Sequence, residues 1–82
     1  MENIKAIVKE YILDEFLPGE NPEELTDSTP LITGGILDSI ATLKLVAFLE
    51  ERFRIKTEAH EASVDYLNTL SDIAGFVRSK LQ

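Results

Sequence analysis

Ile4, Ile7, Val8, Tyr11, Ile12 and Phe16 recur at helical spacing along the start of the chain, with Lys5, Lys9, Glu10, Asp14 and Glu15 between them. An apolar residue every three to four positions predicts an amphipathic helix, and Pro18-Gly19 predicts its end. From Pro18 to Asp38 no period persists. Pro22, Pro30, Gly34 and Gly35 punctuate this stretch together with several Asp, Ser and Thr residues. Pro22-Glu23-Glu24-Leu25 is suited to a helical turn, because proline fits a first helical position. Leu25, Leu31, Ile32, Ile36 and Leu37 are expected to pin the segment to the core, as an ordered functional loop rather than a disordered one.

A second helix is expected from near Ser39 to Phe53. Leu43, Val46, Leu49 and Phe53 make one stripe, and Ile40, Leu45, Ala47 and Phe48 widen it considerably. One packing face needs less apolar surface than this. The helix is therefore central, or exposes part of its apolar side, or both. Ile55 reads as a buried point in an extended link. A short helix is expected over residues 63–67 with Ser63 as its cap. The last helix starts at Asn68 or Thr69, where Thr69 and Asp72 imitate a capping box, and turns Leu70, Ile73, Ala74, Val77 and Leu81 inward. Gly75 within it costs about 1 kcal/mol against alanine. There is no hairpin signal, repeat or low-complexity tract. The expected fold is all-α: a small four-helix bundle of three main helices and one short one, with a long loop between helices 1 and 2, forming one domain over residues 1–82.

Composition narrows the function classes. Fifteen acidic residues against eight basic ones give a formal charge of −7. That charge repels nucleic acid and anionic membranes and favours partners with basic patches. With no cysteine and one histidine, the chain has no disulfide, thiolate metal site or cysteine nucleophile. The opening Met1-Glu2-Asn3-Ile4-Lys5 has no secretory signal pattern, and no apolar run approaches bilayer length. A soluble, cytoplasmic, monomeric protein is expected.

The candidate chemistry lies at Gly34-Gly35-Ile36-Leu37-Asp38-Ser39-Ile40, where a glycine-bearing loop meets the apolar second helix. From the dipeptide alone, Asp38-Ser39 reads first as a helix cap. However, two capping side chains stand where one suffices, and the long loop before them places this helix start at the surface. A phosphate ester there is favoured by about 0.3–1 kcal/mol, with the Asp38 charge opposing it. Ser39 is thus a candidate attachment point for chemistry that the chain does not itself contain.

The chain resembles the acyl carrier protein family, which includes aminoacyl and peptidyl carriers. The resemblance runs through Thr29-Pro30-Leu31-Ile32, Gly35-Ile36-Leu37-Asp38-Ser39-Ile40, Leu43, Leu45-Val46, Phe48-Leu49-Glu50-Glu51, Phe53-Arg54-Ile55 and Asp65-Tyr66-Leu67, and on to Leu70 and Ile73. It implies that Ser39 is the covalent site of 4'-phosphopantetheine, donated by coenzyme A through a phosphopantetheinyl transferase. It implies no catalytic residue and no metal. It implies a freestanding acyl carrier, of fatty-acid and lipid metabolism or equally of a specialised pathway with its own ligase or transferase, holding acyl thioesters for ligases, acyltransferases or synthases with basic docking patches. An aminoacyl or peptidyl carrier with a dedicated ligase is the alternative. By the same resemblance the second helix is the recognition element. Asp38, Ile40, Lys44, Glu50 and Glu51 are its expected partner contacts, and Ile40 and Tyr66 the side chains nearest the cofactor arm. Ala41, Lys44 and Arg52 interrupt the acidic run usual for fatty-acid carriers, and residues 57–64 also depart from the family pattern.

Rival readings are weaker. A triad of Ser39, His60 and an aspartate lacks the G-x-S-x-G elbow and room for a substrate cleft. Glu20, Glu23, Glu24 and Asp27 lack the order of a calcium loop and read as solvated charges. The main rival is a protein-interaction bundle in which Ser39 is only a cap.

Overall fold

The computed structural model describes residues 3–81, and every regular element among them is helical. Helix α1 spans Ile4–Phe16, α2 Ser39–Phe53, α3 Val64–Leu67 and α4 Leu70–Leu81, with 3-10 turns at Pro22–Glu24 and Ala59–Glu61. The expected fold class and the long first loop are both present. No helix among the described residues is long and apolar enough to cross a membrane.

Helix α1 begins at Asn3, whose side chain accepts the Ala6 N–H at 3.1 Å. Its core face is Ile4, Val8 and Ile12. Tyr11 leaves that face to stack on Phe48 of α2, with ring centres 4.0 Å apart and planes 11° from parallel. Its hydroxyl donates to the Lys44 carbonyl at 3.2 Å. Burial, with Glu15 adding to it, raises the Tyr11 phenol above its ordinary 10.0. The turn after α1 passes through Gly19 at φ 86°, a left-handed conformation that glycine adopts without strain.

Helix α4 packs against α1, α2 and α3. Leu70, Ile73, Ala74 and Val77 face inward as expected, and Phe76 joins them at 5% exposure. Leu81, expected in the same stripe, is 54% exposed at the end of the helix, past the neighbours that would cover it. Thr69 caps α4 as predicted: its hydroxyl accepts the Asp72 N–H at 3.0 Å. Arg78 and Lys80 in the last turn suit the negative end of the helix dipole.

The inward face of α2 takes only part of the stripe read from the sequence. Ala41, Thr42, Leu45, Leu49 and Phe53 are buried, whereas Leu43 is 63% and Ile40 68% exposed. A helix apolar on most sides offers several competing stripes, and tertiary packing selected one displaced from Leu43. Arg54 ends α2 in the left-handed conformation at φ 56°, and Ile55 is buried beyond it.

Candidate functional site

The site is built by the end of the long loop. Leu25, Leu31 and Leu37 are at most 3% exposed, with Ile32 and Ile36 packed more loosely against the core. The two glycines near its end have separate tasks. Gly35 takes φ 84°. Gly34 lies so close to the Pro30 carbonyl that a Cβ would overlap the oxygen. The chain then returns, and the Leu37 N–H donates to the Leu31 carbonyl at 2.9 Å.

Asn68, between α3 and α4, clamps this return. Its backbone carbonyl accepts the Leu31 N–H at 2.6 Å. Its side-chain oxygen accepts the N–H groups of Ile32 and Thr33, each at 3.0 Å. The sequence reading assigned Asn68 only a place at a helix start. Three loop amides converging on a residue far along the chain leave no local sequence signal.

The clamp fixes the start of α2, where Asp38 and Ser39 take different roles. Asp38 is the cap: its Oδ1 accepts the Ala41 N–H at 2.7 Å. Its carbonyl accepts the Thr42 N–H at 2.9 Å and the Thr42 hydroxyl at 2.8 Å. Ser39 is the first helical residue and exposed, and among the described residues its hydroxyl has no hydrogen-bond partner. The cap that Asp38-Ser39 offered is thus made by Asp38, and Ser39 takes no part in it.

Beside Ser39 an open cleft of about 490 Å³ runs between α2 and the start of α3, lined by Ile32, Leu37, Thr42, Leu43 and Val64 among others. Neither Ile40 nor Tyr66 lines it. Tyr66 instead meets His60 edge-on and tilts against Phe76. Leu43 and Val64, each partly open to solvent, line it instead.

The remaining expected contacts on α2 divide. Lys44 and Glu51 are exposed. Glu50 is half-buried, and its Oε2 accepts the Thr57 N–H at 2.8 Å, so it holds the link that follows the helix. That link continues into the 3-10 turn, where Glu58 and Glu61 bond reciprocally to each other's backbone. Glu61 also meets Lys80 of α4 at 2.7 Å. This ion pair, with the backbone bond to Glu58 next, lowers the Glu61 carboxyl below its ordinary 4.5. Ser63 precedes α3 as expected but makes no side-chain cap bond; its hydroxyl and that of Thr57 are buried with no hydrogen bond within the described protein.

The structure thus presents a small helical bundle with an exposed serine, not used as a cap, at a helix start that a clamped loop leads into. No protein-family model matches the sequence. The chain is similar, however, to a D-alanyl carrier protein of Streptococcus sanguinis (strain SK36), with 37% identity over 71 residues covering 87% of this chain and 86% of that one. The chain belongs to the acyl-carrier-type, phosphopantetheine-dependent carrier proteins.

Proposed function

We propose that Ser39 carries the phosphopantetheine arm and that the cargo is aminoacyl, with D-alanine the first candidate. The supporting observation is the division of labour at the start of α2. Asp38 satisfies the helix, so the Ser39 hydroxyl is exposed and free to react. The group fits this position: a phosphodiester on the first residue of α2 lies at the positive end of the helix dipole, and the adjoining cleft has apolar walls along which the chain of the arm can lie. In the attachment step, Ser39 Oγ forms a new bond to the coenzyme A phosphorus next to the pantetheine. The phosphoanhydride bond breaks, 3',5'-ADP leaves, and the hydroxyl proton passes to a base on the transferase. Once bound, the arm supplies the thiol that a cysteine-free chain lacks.

The aminoacyl alternative fits better than the fatty-acid role expected first, since the similar protein is named for D-alanine and Lys44 breaks the acidic run on α2. Ile40, Lys44 and Glu51, exposed along α2, are the proposed contacts for the transferase and for a dedicated ligase. Asp38 contributes through the helix start it holds, and Glu50 through the link it fixes.

Intact mass after incubation with coenzyme A and a broad-specificity phosphopantetheinyl transferase tests the attachment. A gain of one phosphopantetheine is expected, absent in Ser39→Ala, which keeps wild-type stability within about 0.5 kcal/mol because it removes no cap. An unmodified wild-type chain beside a modified control carrier would refute the assignment. Asp38→Ala is expected to slow modification, but it also removes the cap at about 1 kcal/mol. Asp38→Ser keeps a capping oxygen and so separates recognition by the transferase from loss of helix order. Cargo is tested on the modified protein with ATP and a D-alanine-activating ligase, beside a fatty-acyl ligase with a fatty acid. Loading by the second alone would overturn the aminoacyl reading.

A further inference from the structure

The end of α1 and the first part of the long loop enclose a groove that the carrier reading leaves without a task. Two hollows, of about 500 Å³ and about 170 Å³, share Leu13, Leu17 and Glu20 and thus form one depression. Its floor is apolar. Leu13 and Leu17 are only part-buried there, and Leu25 and Ile36 line its smaller part. Its rim carries Glu10, Asp14, Glu20 and Glu24 against one cation, Lys9.

Part-exposed apolar side chains gathered in a groove with a polar rim have the form of an interaction site. The sign of the rim selects what enters, because carboxylates around a low-dielectric floor attract cations and repel anions at encounter. We propose that this groove docks a basic amphipathic segment of a partner protein, its apolar side chains on Leu13 and Leu17 and its Lys or Arg residues on the surrounding carboxylates. Anionic lipid is repelled by the same rim, and a second copy of this chain brings a charge of −7 to it. The groove shares no lining residue with the cleft beside Ser39. A partner seated in it leaves the serine accessible, and the inference stands whether or not Ser39 carries the arm. The loop joins the two places: Ile36 lines the groove and Leu37 the cleft.

The test titrates the isotope-labelled full chain by NMR with two synthetic peptides of equal positive charge. One places Leu and Lys at amphipathic helical spacing; the other replaces each Leu with Ser. The Leu/Lys peptide is expected to shift Leu13, Leu17, Gly19 and Ile36 and to bind at least about tenfold tighter than the Ser/Lys peptide. Glu20→Lys with Glu24→Lys weakens that binding about tenfold. Asp65→Lys with Asp72→Lys, an equal change in net charge, leaves it within about twofold. Amide dispersion reports whether each variant is folded. Equal binding of the two peptides, or shifts centred on α2 or spread evenly over the surface, would overturn the proposal. So would groove signals that move with protein concentration alone, which would assign the face to a second copy, or that move with anionic vesicles.

Discussion

The two connections flanking α2 are held by different means. The long loop before it is fastened by fully buried leucines and by Asn68, whose acceptors are satisfied by loop amides. The link after it buries Ile55 but otherwise depends on carboxylates: Glu50 on Thr57, Glu58 with Glu61, and Glu61 on Lys80. It also encloses two hydroxyls with no partner in the described protein. Buried apolar anchors are insensitive to salt and pH and costly to lose, whereas carboxylate contacts that are only part-buried contribute less and vary with pH. The firm connection leads directly to the serine. The softer one borders the cleft through Ala62 and Ser63.

Four substitutions probe this contrast. Leu31→Ala, in the loop, is expected to cost about 2–5 kcal/mol in urea unfolding, a large share of the stability of a small domain. A loss below about 1 kcal/mol would mean that the leucine anchors do not carry the loop. Asn68→Ala removes the acceptor for two loop amides and is expected to cost about 1–3 kcal/mol, with faster hydrogen exchange at Ile32 and Thr33. Unchanged exchange at both would break the clamp argument. In the link, Thr57→Val replaces an unpartnered hydroxyl with a methyl group of similar shape, and a gain of up to about 1 kcal/mol is expected. A clear loss would reveal a role for the hydroxyl. Glu61→Gln has the smallest effect and a defined pH window. The folded carboxyl lies below its ordinary 4.5, so its stabilisation is complete above that value and disappears as pH falls through the lowered one. Wild type and variant are therefore expected to converge in melting temperature on acidification, and a gap that persists to low pH would contradict the ion-pair account.

The same contrast explains how much was legible in the sequence. The bounds of α2 follow from a capping residue before an apolar run, and the loop anchors follow from isolated leucines among polar residues. Both are local patterns with local causes. The face of α2 was not legible, because Leu43 and Leu45 have equal claim on an inward position until the neighbouring helices are placed. Phe76 was missed for a related reason: it widens the α4 face under Tyr66 of α3, a contact made only by the assembled bundle. The turn at Ala59–Glu61 begins with glutamate where a hydroxyl residue is the usual signal, so its capping box went unread. At the site, Ser39 stood out because it was one hydroxyl more than the helix start required. Which of Asp38 and Ser39 does the capping, and that Asn68 holds the loop ahead of them, are facts of three-dimensional packing.

The allocation of the cap to Asp38 also bears on the order of events in the life of the protein. If Ser39 carries the arm as proposed, esterifying it would consume no hydrogen bond on which the fold depends, and folding would not need to wait for activation. A newly made chain would then reach its final shape first and meet the proposed transferase as a finished surface. Removal of the arm would return it to the same shape, ready for another round.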